Sequence, residues 1–453
     1  MAIANINRFI ALFDQSFGAL SIAVDMAQTE RLAVLVHQAM NSKTRTYHTA
    51  GHVFAMCEGM KPLQVLAALF HDAVYYQLDA GYPAGTQHLL DDIARVEHGE
   101  LVLQPVADAE PALALCAAIF NFKPGQTLPL YGGMNEFLSA ALAMRLLRPH
   151  LNPAQLIAVA ACIEATIPFR APVTGITAVD AMAQRVRQQT QLHSPQWDDD
   201  ALNAGVHRTV CDAVVLANRD VGGFGKADPG AFLSTTWLLI DESNAPLSNP
   251  GVYSVQDYRS ALVRMAGFLG HLDASTIFQH YHSTPSTDAL AHLRGAAQRN
   301  IAFACDFLNA KITSIAIIEA LALCTGTDCP VSMFLGDMRS EDGAPDRAQD
   351  FLPPAPTGRA LNPALLAVFE KGRSVQTSND LTVSPLTAFT YQTMGTQGTL
   401  QALSQAHAMF DGALAPKAFL QTLDPAMVRA ISQACARIAL SRAQSLQALA
   451  QSL

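Results

Sequence analysis

Between Arg45 and Tyr76 the chain reads RTYHTAGHVFAMCEGMKPLQVLAALFHDAVYY. Three of its 14 histidines lie in this stretch, His48, His52 and His71, and Asp72 adjoins the last of them. Imidazole nitrogen combined with carboxylate oxygen suits Mn, Fe, Co, Ni or Zn and, with water, Mg. His48 and His52 are four residues apart, a spacing that puts two side chains on one helix face. His71 and Asp72 close an apolar run, and at a helix end the regular angular offset need not hold, so both can turn toward one ion. Taken singly, each of the four is better explained as a hydrogen-bonded core residue. Their joint occurrence is harder to dismiss, because an aspartate directly after VLAALF needs a cationic partner. A metal shared with His71 is the economical one. Two histidines and one aspartate leave an open site, which a carboxylate from far along the chain would complete.

The elements that must position these groups are helical. Ala and Leu dominate, and apolar residues recur at spacings of three and four in RLAVLVHQAM, PLQVLAALFHDAVYY, PALALCAAIFNF, NEFLSAALAMRLL, NPAQLIAVAACIEATI and VHRTVCDAVVLANRD. Pro62, Pro111 and Pro153 each stand near a helix start, where the missing N–H costs nothing. Strict alternation is hard to find, so the expected class is all-α. Residues 241–252 read as a loop, and 336–363, rich in Pro, Asp and Gly, as the strongest linker candidate. The division expected is a helical domain over 1–310, followed by a helical region over 311–453 interrupted by that linker.

The chain has 453 residues, half of them hydrophobic, and a net charge of −9, with no Lys/Arg run. That argues against a nucleic-acid-binding surface, while a metal would still let the protein hold a small anion. The eight cysteines form no Cys-x-x-Cys pair and sit mostly in apolar helical patterns, as small hydrophobes. The N-terminus reads as an amphipathic helix rather than a signal peptide. The longest apolar candidate, ITSIAIIEALALC, is broken by Glu319, so no membrane span is expected and the cytoplasm is the default location.

YHTAGHV…LAALFHDAVYY resembles the HD-domain superfamily of metal-dependent phosphohydrolases. It is most similar to a bacterial group that reads Tyr-His-x-x-x-His, then an apolar helix, then Phe-His-Asp-x-x-Tyr. The cyclic-nucleotide phosphodiesterases carry a related Tyr-His pair. The resemblance spans roughly residues 30–225, and nothing beyond residue 310 takes part in it. It implies an HD-type helical bundle and one divalent ion held by His52, His71, Asp72 and a distal aspartate. CDAVVLANRDVGGFG, with its glycine-containing turn, selects Asp220 for that place, with Asp212 the runner-up and Asp180 behind it. His48 takes the position that protonates the leaving oxygen, or else orients a ligand.

Two departures stand out. The related group often has an Asn-Glu pair about 15 residues after His-Asp; here the region reads GTQHLLDD, with His88 and Asp92 as the nearest substitutes. Glu164 lies in an otherwise apolar helix and is followed by Arg170. Glu164 is a candidate to hydrogen-bond a water on the metal and Arg170 to contact a phosphate, although a mutual surface salt bridge accounts for both equally well. AVYYQLD supplies no further ligand before Asp79, which favours a single metal, and no Glu-Asp pair of the (p)ppGpp hydrolases follows His-Asp.

The expectation is a phosphohydrolase acting on a small phosphoester, a nucleotide among the candidates, and forming a homo-oligomer if it associates at all. The alternative is a catalytically silent HD-fold module that binds a nucleotide or a metal. Di-iron oxygen chemistry needs more protein ligands than are named here. His280 and His282 read as loop or surface residues, since i, i+2 residues do not share a helix face.

Overall fold

The structure is a computed structural model that describes residues 3–107, 109–248, 252–336, 346–373 and 382–453. The class is all-α, with a single two-stranded sheet among the described residues. The chain divides into two compact units, Met1–Gly225 with Asp273–Ala297, and Lys226–Leu272 with Gln298–Leu453. The first therefore closes some 85 residues before position 310, and a later segment returns to it.

In the first unit the helices are α1 (Asn5–Ala19), α2 (Met26–Met40), α3 (Ala50–Cys57), α4 (Pro62–Phe70), α5 (Pro111–Phe120), α6 (Met134–Leu147), α7 (Pro153–Ala165), α8 (Ala178–His193) and α9 (Asp199–Asp220). Strands β1 (Ala94–Glu97) and β2 (Glu100–Leu103) pair between α4 and α5. Phe9, Phe13 and Phe17, four residues apart on α1, are all buried and seat that helix on the core. All of α4 from Gln64 to Phe70 is buried, as a helix apolar on every side must be. Helix α7 is another such element and packs against α4, α5, α6, α8 and α9.

Local sequence sets the helix starts. Asn152 and Gln155 form a reciprocal cap ahead of Pro153 on α7. Asp198 accepts from the Ala201 amide, and Asp199 and Asp200 in the first turn of α9 favour its positive end. Helix α4 ends on His71, whose N–H still reaches the Ala67 carbonyl. The hairpin turns through His98 and Gly99, both with positive φ (52° and 88°), the two-residue connection whose twist matches the strands.

The second unit contains α10 (Pro229–Glu242), α11 (Val255–His271), most of α13 (Thr287–Thr325), α14 (Val331–Leu335), α15 (Pro363–Lys371), α16 (Pro385–Phe410), α17 (Pro416–Gln421), α18 (Pro425–Ile438) and α19 (Ala443–Ser452); the short α12 (Ala274–Ile277) belongs to the first. Its core includes the ring series Trp237, Phe307 and Phe369, with centroids 5.5 and 4.9 Å apart. Helix α16 is broken at Gly395 (φ 70°), whose conformation a β-carbon would strain. Of the expected linker 336–363, residues 337–345 lie outside the described residues; the rest is a 3₁₀ turn at Ala348–Phe351 and chain without helix or strand up to α15. Of the expected loop 241–252, Asp241 and Glu242 end α10, and 249–251 lie outside the described residues.

Helix α13, at 39 residues, is long and apolar enough to cross a bilayer by length and composition, which the sequence reading did not anticipate. Its apolar window is 83% buried inside the protein. Glu319 on it is met by Arg259, whose Nε lies 3.1 Å from Oε2. All eight cysteines are free thiols.

Candidate metal centre

Four side chains from three helix ends converge in the first unit. His52 comes from the first turn of α3, His71 and Asp72 from the end of α4, and Asp220 is the last residue of α9. His71 Nε2 lies 2.8 Å from Asp72 Oδ2 and 3.7 Å from Asp220 Oδ1. His52 Nε2 lies 3.0 Å from Asp220 Oδ1 and 3.8 Å from Asp72 Oδ2. Donor atoms sharing one ion at about 2.1 Å in tetrahedral or octahedral geometry stand about 3.0–3.4 Å apart, close to these separations. His52, His71 and Asp72 alone already form a set that could hold a metal ion.

The protonation pattern sharpens the fit. His71 is 1% exposed, and its Nδ1–H donates to the Ala68 carbonyl at 2.8 Å. In the neutral ring this leaves a lone pair on Nε2, facing two carboxylates. His71 Nε2 and Asp72 Oδ2 are both buried and face each other at 2.8 Å as an ion pair, without hydrogen-bonding angles and with no hydrogen-bond partner elsewhere. Buried polar atoms are nearly always satisfied, and a cation between them satisfies both.

The electrostatics agree. Burial disfavours an imidazolium at His71, yet the Asp72 and Asp220 carboxylates outweigh it and hold the His71 pKa well above its ordinary range. Burial would raise both aspartates, but His71, His48 and His52 hold Asp72 far below the carboxylate range. Hydrogen bonds and charge from His52 and His71 likewise pull Asp220 down to about 2. The pocket is built for a positive charge on two carboxylates.

His48 does not share a helix face with His52. Helix α3 begins only at Ala50, and His48 lies in the bend before it, with its ring centroid 6.1 Å from that of His52 and 4.8 Å from that of Tyr75. It still reaches the cluster, because its charge is among those that depress Asp72.

The remaining sequence candidates are placed elsewhere. Asp212 pairs with Lys61 at 2.6 Å, and Asp180 bonds the Thr177 hydroxyl that starts its own helix. Asp92 is held by Arg145, and His88 is exposed. Asp79 is taken by Arg45. Glu164 is 1% exposed, with both carboxylate oxygens engaged, by Arg170 (2.6 and 3.2 Å) and Arg185 (2.6 Å). Glu164 and Arg170 pair with each other, but the expected surface salt bridge is instead sunk at its carboxylate, because Glu164 lies on a helix packed on all sides. His280 follows Gln279, whose main chain the Asn218 amide bonds on both sides near the end of α9, whereas the His282 ring lies 5.2 Å from that of His207, in the middle of the same helix.

Sequence reasoning missed the groups that hold the His-Asp turn. Buried Arg45 donates through Nη1 to the Asp72 carbonyl at 2.6 Å and closes on Asp79 at 2.5 Å. On α6, Asn135 Oδ1 accepts from the Tyr76 amide and Ser139 Oγ from the Val74 amide, both at 3.0 Å. The next residue is Glu136, so an Asn-Glu pair does stand beside the His-Asp turn. A fixed spacing hid it, because the hairpin and α5 intervene; MNEFLSAALA was the available signal.

Comparison with protein-family models, curated proteins and solved structures gave no match.

Proposed function

We propose that this chain is a divalent-metal-dependent phosphohydrolase of the HD type, acting on a small phosphoester such as a nucleotide. The observation that carries the reading is the pair of buried, unsatisfied atoms, His71 Nε2 and Asp72 Oδ2, with His52 and Asp220 converging on them. His52, His71, Asp72 and Asp220 would hold the ion. When bound, it supplies an activated water near neutral pH and charge neutralisation at the phosphoryl group.

The chain's own groups do the rest. The Ala68 carbonyl fixes the His71 tautomer, which leaves the Nε2 lone pair free to bind an ion. Arg45 pins the Asp72 main chain and keeps the His-Asp turn from opening. The attacking water gives one proton to solvent as its oxygen bonds to phosphorus and the ester P–O bond breaks. The departing oxygen takes a proton from His48, which regains one from solvent. Tyr47 and Tyr75 flank the His48 ring with centroids at 4.8 Å and limit its rotation.

The test is metal content of the purified protein, followed by calorimetric titration with Mn, Mg, Co, Ni, Zn and Fe(II). Activity is then screened on phosphomonoesters, nucleotides and cyclic nucleotides. One ion per chain is expected in the wild type. The double variant His71→Ala, Asp72→Ala should lose at least about 1,000-fold in affinity, together with all hydrolysis. Equal metal binding and turnover in the double variant would sink the reading.

A further inference from the structure

The stretch STIFQHYHSTPS has no part in the reading above, yet its first half lies against the helix that ends in Asp220. It belongs to residues 273–297, which return to the first unit. Helix α12 ends at Ile277, and the next two residues meet the chain on both sides of Asp220. Before Asp220, the Asn218 side chain grips the Gln279 main chain twice. Its Nδ2 donates to the Gln279 carbonyl at 2.9 Å, and its Oδ1 accepts from the Gln279 amide at 2.8 Å. After Asp220, Phe278 is buried and lies so close to Gly225 that a β-carbon there would stand 3.2 Å from the ring. The Gln279 side chain then crosses to the end of α7, where Nε2 donates to the Ala165 carbonyl at 2.6 Å.

Ala165 is the last residue of α7, and α7 packs on α4, whose end presents His71 and Asp72. One residue therefore joins the helix of the distal ligand to a neighbour of the helix that carries two others. The last turn of α9 needs such a tie. The final carbonyls of a helix have no partner within it, and a carboxylate there meets the negative end of the dipole, so Asp220 weakens the turn on which it sits. The tie persists although Gln279 Oε1 is left buried with no hydrogen-bond partner, which is unfavourable. We propose that Gln279, together with Asn218, is a positioning residue for the metal centre: the pair holds the end of α9 so that the Asp220 carboxylate stands beside His52 and His71. This rests on the metal site of the reading above and is independent of which phosphoester is the substrate.

The experiment is a double-mutant cycle on Mn²⁺ binding, read by electron paramagnetic resonance of the free ion. The visible spectrum of the Co²⁺-loaded protein and the circular dichroism of the metal-free protein are recorded alongside. Asn218→Ala should lower Mn²⁺ affinity about 10–100-fold, the loss that follows removal of a ligand's outer partner, and should alter the Co²⁺ spectrum. In the Asp220→Asn background the same change should alter affinity by less than about threefold, because the carboxylate it positions has gone. Gln279→Ala keeps both main-chain bonds and removes only the tie to Ala165. It should show a smaller loss with the same dependence on Asp220. If Asn218→Ala does not fold, Gln279→Ala decides by the same cycle. Unchanged affinity in both variants overturns this inference alone. So does an equal loss with and without the Asp220 carboxylate, which would mark a residue that only supports the fold. A wild type that binds no Mn²⁺ overturns the metal centre and this inference with it.

Discussion

The first unit encloses two sets of charged side chains at almost equal depth, and they are built on opposite plans. Around Glu164 every strong acceptor is used, with two guanidinium groups answering one carboxylate. Around His71, two carboxylates face two imidazoles, and two buried atoms have no hydrogen-bonding partner. Arg185 adds a bond to the Ile119 carbonyl at 2.5 Å, tying α5, α7 and α8 together. The first set is a joint closed at the carboxylate, with the Nε of Arg170 left without a hydrogen-bond partner. The second is complete only with a further positive charge. The comparison teaches that burial of charge does not by itself mark a functional site; the balance of donors and acceptors separates the two.

Mutation should break the two sets differently. Glu164→Ala leaves Arg185 and Arg170 without their carboxylate, and stranding one member of a buried ion pair costs about 3–5 kcal/mol. Urea unfolding of the metal-free protein should show that loss. Asp220→Asn should lower the metal-free midpoint less than Glu164→Ala does, since the amide gives up the charge that His52 and His71 stabilise but keeps the shape and can still bond His52. Its Mn²⁺ affinity should nevertheless fall by more than the roughly 10–100-fold seen when an outer partner of a ligand is lost. If Asp220→Asn unfolds the protein while Glu164→Ala is harmless, the roles assigned to the two sets are reversed.

A smaller effect comes from pH. In the metal-free protein, His71 has a raised pKa, so its contribution to stability is full below its ordinary 6.5 and is lost as pH climbs through the folded value. Asp72 and Asp220 are depressed from 3.8, so theirs is present above that value and is lost as pH falls through the folded values. The metal-free Tm should therefore peak between about pH 4 and 6.5 and decline on the alkaline side. A metal takes the place of the His71 proton, so the rise in Tm caused by Mn²⁺ should grow as pH increases above 6.5. A Mn²⁺ effect that is flat with pH would separate His71 from the metal.

The parts of this site that the sequence announces are those whose geometry is local. His71 and Asp72 are adjacent, His52 closes a Tyr-His-x-x-x-His pattern, and the apolar run before His71 becomes a helix buried on every side. The class was legible for the same reason, because spacings of three and four survive into α2, α4, α5, α6, α7 and α9. What failed was non-local or conformational. Whether His48 sits on α3 depends on where that helix starts, and Thr49, although in cap position, makes no side-chain cap bond to announce it. Glu136 was hidden by an intervening hairpin whose turn signal, His98–Gly99, lies in a run too short to show alternation. The unit boundary at Gly225 falls in a glycine-rich turn, and the return of residues 273–297 leaves no compositional mark.

The least disruptive test concerns the runner-up for the fourth position. Asp212 and Asp220 lie on the same helix, eight residues apart. At 100° and 1.5 Å per residue they differ by about 80° in direction and about 12 Å along the axis, so one ion cannot be held by both. Asp212 is engaged by Lys61, which is 64% exposed, and such a pair contributes about 0–1 kcal/mol. Asp212→Asn should therefore leave stability within 1 kcal/mol or so, with Mn²⁺ affinity and hydrolysis unchanged. A loss of metal in Asp212→Asn as large as that in Asp220→Asn would mean that the helix presents a different face to α3 and α4 in solution. The distinction between the two sets of charges would then have to be redrawn, because the end of α9 is what brings the second carboxylate to His52 and His71.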